Sequence, residues 1–115
     1  MEQSLLPLTE ATFYILLSLS VGRKHGYAIL KDVSTLSDAT LELSTSTLYG
    51  ALGRMQEQGL IERVANEPEA TTGPGLPRKA YQLTELGRRI LEAEMVRLRR
   101  MVQAGAQHLG QEPQL

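Results

Sequence analysis

The sequence contains no cysteine and no tryptophan, and it has only one phenylalanine, four tyrosines and two histidines. The absence of cysteine excludes a disulfide framework and a thiol nucleophile. The histidines, His25 and His108, are widely separated and form no motif with metal-ligand spacing. The sequence also lacks a glycine-rich phosphate loop and any nucleophile, base and orienting group that could be argued to meet. We therefore expect a protein that is not an enzyme, with no catalytic residue, no metal and no cofactor.

Long apolar runs are missing as well. The most apolar stretch, residues 13–21, has about half the length that a bilayer-spanning helix needs, and it contains Ser18 and Ser20. Glu2 and Glu10 precede this stretch at the place where a secretory signal would carry positive charge. The stretch is therefore expected to be a core helix of an intracellular, cytoplasmic protein that has no membrane partner.

Neither sign of charge predominates, because the chain of 115 residues has a formal net charge of -1. The distribution is uneven, however. Residues 1–43 hold three basic and five acidic side chains, whereas residues 78–89 have a net charge of +3. The basic residues of the second segment are Arg78, Lys79, Arg88 and Arg89. The sequence thus predicts one local basic patch on a nearly neutral protein.

Apolar periodicity predicts two helices in the first third of the chain. Thr9 can cap the first helix, which is expected to end at Gly22. The second helix follows from residue 24 to residue 36, and its apolar positions recur at spacings of four and three. These positions are Ile29, Val33 and Leu36. The alternation of residues 41–43 then predicts a brief strand.

The third predicted helix has one apolar stripe and an opposite face of small or hydroxyl-bearing residues. Ser44 or Thr45 can cap its start, and Gly59 is a suitable C-terminal stop. The buried stripe consists of Leu48, Leu52 and Met55, and the opposite face offers Ser46, Thr47, Tyr49, Gly50 and Gly53. Each of these two glycines costs the helix roughly 1 kcal/mol relative to alanine. Close approach of another backbone or tight packing against a neighbouring helix could offset that cost.

The segment after Gly59 predicts a hairpin with a long tip. Residues 60–64 and 79–84 alternate as strands do, and residues 65–77 between them contain three prolines and two glycines. Such a composition forbids a helix or a central strand, which leaves an exposed loop. The hairpin is therefore expected to be a wing.

The last predicted helix begins after Thr84, which can cap it. Its apolar seam consists of Leu91, Met95, Leu98 and Val102, spaced by four, three and four. This seam is expected to pack against a second copy of the chain as a dimer interface, and docking onto the first helix of the same chain is the alternative. The expected organisation is a winged domain over residues 1–84, a dimerisation helix over 85–110 and a disordered tail over 111–115.

The order helix, helix, short strand, helix, strand, wing, strand, helix is that of a winged helix-turn-helix. Three segments also resemble the signature blocks of PadR-like transcriptional regulators. They are HGYAILKDV at 25–33, STLYGALGRMQEQGLIER at 46–63 and RKAYQLTELGRRIL at 78–91. Together with the first helix, the resemblance covers nearly all of residues 8–100. The predicted fold class is mainly α with a small β-hairpin: a winged helix-turn-helix plus a C-terminal dimerisation helix.

The resemblance implies that residues 1–84 are a winged helix-turn-helix DNA-binding domain. Its third helix would enter the major groove of DNA, and its wing would reach the adjacent backbone. Short hydroxyls and a phenol can donate to phosphates or base edges, and Arg or Lys adds electrostatic attraction. The predicted DNA-binding residues are Thr45, Ser46, Thr47, Tyr49, Arg54, Arg78 and Lys79. Three plainer interpretations compete with this one: Tyr49 packs half-buried, Arg54 pairs with Glu57, and Arg78 and Lys79 form a solvated strand end.

The resemblance further implies a dimeric bacterial repressor that binds an inverted-repeat operator. Its partners would be double-stranded DNA, a second copy of the chain and, where release is regulated, a small-molecule effector whose identity the sequence does not give. Phe13, Leu17 and Met95 are candidate pocket residues for such an effector. The alternative function is a winged-helix protein-interaction module without specific DNA binding.

Overall fold

The computed structural model describes residues 5–64 and 79–110, which form four helices and three short strands. The helices are α1 (Glu10–Leu19), α2 (Gly26–Leu36), α3 (Thr45–Glu57) and α4 (Glu85–Leu109). The strands are β1 (Lys24–His25), β2 (Ile61–Val64) and β3 (Ala80–Leu83). This arrangement confirms the predicted fold class. None of the helices in the described ranges combines the length and the apolarity that crossing a membrane requires.

Hydroxyl side chains begin three of the four helices. Thr9, Ser44 and Thr84 each accept a hydrogen bond from the backbone amide three residues further on, at 3.1, 3.1 and 3.0 Å. Each bond satisfies an amide that has no partner within the helix. The caps predicted for α1 and α4 are confirmed, and Ser44 rather than Thr45 caps α3. Gly59 follows α3 with a φ of +78°, which suits a helix stop at glycine.

The strands form one antiparallel sheet in the order β1, β3, β2. The hairpin of β2 and β3 agrees with the sequence prediction, but the strand predicted at residues 41–43 is wrong. The third strand lies instead before α2, where Lys24 pairs with Tyr81 and His25 with Ala80. Leu41 and Leu43 contribute apolar surface to the core without pairing to a strand, which explains their alternating pattern.

One hydrophobic core joins the helices and the sheet. Its fully buried members include Ile15 and Leu16 of α1, Ile29 and Val33 of α2, Leu48, Leu52 and Met55 of α3, and Ile90 of α4. Two details differ from the predictions. Leu36 is 44% exposed and so does not belong to the buried stripe that Ile29 and Val33 form. Helix α1 ends at Leu19 rather than at Gly22, since the Ser20 amide donates to the Leu17 carbonyl at 3.1 Å and tightens the last turn.

Two contacts fix α4 to the rest of the domain. At Gly87 the helix passes so close to the connection between α3 and β2 that a Cβ atom there would lie 2.0 Å from the Leu60 carbonyl oxygen. Two turns later, the buried carboxylate of Glu94 accepts hydrogen bonds from the Leu8 amide at 3.0 Å and from Arg97 at 2.5 and 2.9 Å. The N-terminal segment and the first half of α4 are therefore held together by a buried, fully paired charge.

Candidate nucleic-acid interface

The first turn of α3 presents a cluster of hydroxyl groups to the outside. Thr45, Ser46 and Thr47 are all exposed. The Ser44 hydroxyl, which caps the helix, lies 2.9 Å from the Thr47 hydroxyl and 3.3 Å from the Ser46 hydroxyl. The cap thus holds the neighbouring hydroxyls in place beside the exposed amides of the helix start, and this arrangement can offer several donors to an anionic partner.

The two glycines of α3 lie on the same exposed face and are not packed against the rest of the chain. Among the described residues, a Cβ atom on Gly53 would meet no atom within 4 Å, and one on Gly50 would meet only the Arg54 guanidinium at 3.7 Å. Tight packing against a neighbouring helix of the same chain therefore does not explain these glycines. Their helix-propensity cost is compatible with the other explanation, close approach of a partner molecule.

Tyr49 lies at the edge of this face and is 40% exposed. Its phenol packs over Gly26, the first residue of α2, where a Cβ atom would lie only 2.3 Å from the Tyr49 hydroxyl oxygen. Burial raises the pKa of Tyr81, and the nearby phenol of Tyr49 raises that pKa further. Tyr49 is thus a packing residue and a surface residue at once. Sequence reasoning missed Gly26, although a glycine in the first turn of a helix was a signal for such a contact.

Of the three cations predicted to bind DNA, the structure describes Arg54 and Lys79. Arg54 is exposed, its guanidinium lies beside Gly50, and within the described ranges it forms no ion pair with Glu57. Lys79 is exposed immediately before β3. Arg78 lies outside the described residues, as do the predicted wing tip and the predicted disordered tail at 111–115. The structure thus describes Arg54 on the exposed face of α3 and Lys79 beside the hairpin strand β3.

Two further basic residues of the patch are engaged within the chain. Arg88 donates a hydrogen bond to the Ser20 carbonyl oxygen at 2.9 Å, and Arg89 forms an ion pair with Glu85 at 2.9 Å. Their charges are less available to a partner than the sequence alone indicates.

The predicted dimer seam of α4 is divided between the core and the surface. Leu91 is buried in the hydrophobic core of its own chain, and Leu98 is half-buried. Met95 and Val102 are 43% and 44% exposed. The other exposed large apolar residues of this helix are Val96, Met101 and Leu109. The second half of α4 therefore carries apolar surface that the described residues of one chain leave uncovered.

A groove of about 530 Å³ runs between the N-terminal segment and α4. It is lined by Leu6, Pro7, Ala93, Val96, Arg97 and Arg100. The pocket residues expected from the sequence, Phe13, Leu17 and Met95, are not among them. The groove lies next to the bonds that Glu94 forms with Leu8 and Arg97.

Comparisons with known proteins identify this architecture. The family model described as "Transcriptional regulator PadR-like family" matches residues 15–93. A PadR family transcription regulator from Clostridium difficile is 27% identical with a TM-score of 0.72, over 88% of this chain and 99% of that chain. A PadR-like transcriptional regulator from Bacillus cereus is 27% identical with a TM-score of 0.66, over 96% and 99%.

A third solved structure shares the fold at lower identity. Bacillus subtilis PadR in complex with operator DNA is 23% identical with a TM-score of 0.66, over 78% of this chain and 48% of that chain. No curated protein matches the sequence. The family match extends from the middle of α1 into α4 and so includes α3 and both strands of the hairpin. The chain belongs to the PadR-like family of transcriptional regulators.

Proposed function

We propose that the chain is a DNA-binding transcriptional regulator whose helix α3 enters the major groove. The observation that carries this proposal is the exposed face of α3, where hydroxyls cluster at the helix start and neither Gly50 nor Gly53 is covered by described residues. The family is one of transcriptional regulators and not of enzymes. A solved structure with the same fold, Bacillus subtilis PadR, holds operator DNA.

The residues of this face have separate roles in the proposal. Ser46 and Thr47 donate to phosphates or base edges, and Gly50 and Gly53 let the helix backbone approach the groove closely. Arg54, beside the face, can reach either a phosphate or a guanine edge. Lys79, with Arg78, contacts phosphates from the base of the wing. Phosphate contacts position the protein, whereas contacts to base edges select the sequence.

Control of transcription, in this proposal, depends on a symmetric dimer. The apolar seam of α4, with the exposed Met95 and Val102 and the half-buried Leu98, pairs with the same seam of a second copy. Two α3 helices about 34 Å apart then contact successive major grooves, so the operator is an inverted repeat. The bound dimer represses by excluding polymerase. A small molecule that stabilises a different dimer geometry releases the protein, and it must bind that geometry more tightly than the DNA-bound one.

A protein-interaction module is the competing function. The net charge of -1 and the engagement of Arg88 and Arg89 within the chain favour it. The two functions differ in their dependence on salt, because phosphate contacts release counterions and protein contacts of mixed charge do not.

Fluorescence anisotropy distinguishes the two functions. The protein is titrated against a labelled duplex from its own promoter region and a scrambled duplex, each from about 50 to about 200 mM salt. We expect tighter binding to the promoter duplex and a steep salt dependence with both. Equal, weak binding to both duplexes would favour the interaction module.

Two variants test whether Lys79 contacts phosphates and whether Thr47 contacts base edges. Lys79→Ala is expected to weaken binding to both duplexes and to reduce the slope of log K against log salt by about 0.9, the value for one phosphate contact. Thr47→Ala is expected to weaken binding to the promoter duplex more than to the scrambled one. Arg99→Ala, which removes an exposed cation of α4, is the matched control for charge. If all three variants behave alike, the assigned surface is wrong.

A further inference from the structure

The start of α2 lies against the edge of the exposed face of α3. The phenol of Tyr49 packs over Gly26, so the next residue of α2, Tyr27, is close to the proposed interface. Tyr27 is 67% exposed, and it contributes nothing to the core that Ile29 and Val33 of the same helix fill. Most of the Tyr27 side chain, including surface that can contact a partner, is therefore accessible on the outside of α2.

Tyr27 has one defined neighbour, the side chain of Lys31 one turn later. The Lys31 ammonium lies 5.6 Å from the centre of the Tyr27 ring, within the range of a cation–π interaction. Within the described residues Lys31 has no carboxylate partner, whereas Lys24 on β1 is bonded to Asp32. The Tyr27 ring thus restricts a long cationic side chain near the start of the helix without neutralising it.

The position of Lys31 relates α2 to the beginning of α3. Lys31 and Ser34 line a groove of about 310 Å³ together with Glu42 and Leu43, which lie in the turn that leads to α3. The side of α2 that carries Lys31 therefore faces the approach to the recognition helix. Glu42 lines the same groove and places a negative charge in it.

We propose that Tyr27 and Lys31 form a second contact with DNA, made to the phosphate backbone at the edge of the major groove that α3 occupies. This inference rests on the proposed function. Lys31 binds a phosphate through its ammonium, and the Tyr27 hydroxyl donates to the same phosphate or to its neighbour. The helix before a recognition helix crosses the DNA backbone in a helix-turn-helix, which agrees with this placement. The contact carries no sequence preference and fixes the orientation of α3.

Three variants test the contact in the anisotropy assay, each checked for an unchanged circular dichroism spectrum. Lys31→Ala is expected to weaken binding to the promoter duplex and to the scrambled duplex by the same factor. It is also expected to reduce the slope of log K against log salt by about 0.9. Between about 50 and about 200 mM salt, the wild type should therefore lose roughly threefold more affinity than the variant. Tyr27→Phe keeps the ring and is expected to weaken binding without changing the slope. Glu42→Gln is expected to strengthen binding.

Arg99→Ala is the control, because it removes one positive charge from α4 at a site outside this surface. If the wild-type protein shows no preference for the promoter duplex and no salt dependence, the proposed function itself fails. If the wild type binds as expected and Lys31→Ala has the same affinity and slope as Arg99→Ala, the proposed function stands and the contact on α2 is overturned.

Discussion

At the scale of single residues, the uncovered glycines of α3 separate stability from function. Gly53→Ala adds a methyl group that meets none of the described atoms within 4 Å, and alanine is the better helix former. We expect the free energy of unfolding to rise by up to about 1 kcal/mol. If the α3 backbone approaches DNA closely, affinity for the promoter duplex falls in the same variant. Denaturant unfolding and anisotropy measure the two effects.

Gly105→Ala is the control for helix propensity, since Gly105 of α4 is also uncovered. It should raise the free energy of unfolding in the same way. A gain in stability together with unchanged promoter affinity in Gly53→Ala would contradict a close approach of α3 to DNA.

Gly26 behaves differently, because a side chain already occupies the space beside it. Gly26→Ala would place a methyl group 2.3 Å from the Tyr49 hydroxyl oxygen and 2.8 Å from the ring carbon that bears it. These atoms end a flexible side chain, so we expect Tyr49 to move and the core to remain intact. Because Tyr49 is a predicted DNA-binding residue, its displacement should reduce the preference for the promoter duplex over the scrambled one. The double variant Gly26→Ala/Tyr49→Ala should lose no more preference than Tyr49→Ala alone, and a larger loss would show that the two residues act independently.

At the scale of elements, Glu94 makes the attachment of α4 to the N-terminal segment sensitive to acid. The hydrogen bonds from Arg97 are the main reason why the pKa of Glu94 lies below its ordinary value of 4.5; burial opposes this effect and the Leu8 amide adds to it. Because the folded-state pKa is lower than the unfolded-state pKa, the stabilisation is complete above the ordinary value. It is lost as pH falls through the folded-state pKa.

Glu94→Gln should remove this part of the pH dependence. At neutral pH we expect the variant to lose about 1.5–3 kcal/mol of unfolding free energy, the range for hydrogen bonds to charged groups. Urea unfolding at several pH values between neutral and acid measures both effects. Glu92→Gln, an exposed change in the same helix, is the control. Parallel pH curves for wild type and Glu94→Gln would show that another group causes the acid sensitivity.

The sequence predicted elements well where the signal was local. Hydroxyl caps predicted where α1, α3 and α4 begin, and apolar residues spaced by three and four positions predicted their buried faces. Alternation of apolar and polar residues predicted β2 and β3. The strand β1 could not be found this way, because two residues show no alternation and their pairing with β3 is set by residues more than fifty positions away. The contact of Tyr49 with Gly26 was likewise missed, because it depends on how α2 and α3 cross.

At the scale of the whole molecule, the exposed seam of α4 leads to a prediction about assembly. Val102→Glu introduces a charge into the proposed dimer interface, and we expect a monomer in sedimentation at concentrations where the wild type is a dimer. Binding to an inverted repeat should weaken strongly, while the weak binding of a single half-site remains. Gln103→Glu, a change of the same charge at an exposed neighbour outside the seam, should stay dimeric. A dimeric Val102→Glu protein would exclude this seam as the interface.

The close contact between Gly87 and the Leu60 carbonyl oxygen fixes the start of α4 relative to α3. From Gly87 to Leu109 the helix rises about 33 Å, at about 1.5 Å per residue. A change of about 5° in the direction of α4 therefore moves its far end by roughly 3 Å. The contact at Leu60 lies directly after α3, on the short connection to β2, and Glu94 holds the first half of α4 to the same core. In the proposed dimer, a change of angle between two paired α4 helices thus turns each domain as a unit and alters the separation of the two recognition helices without any rearrangement inside either core.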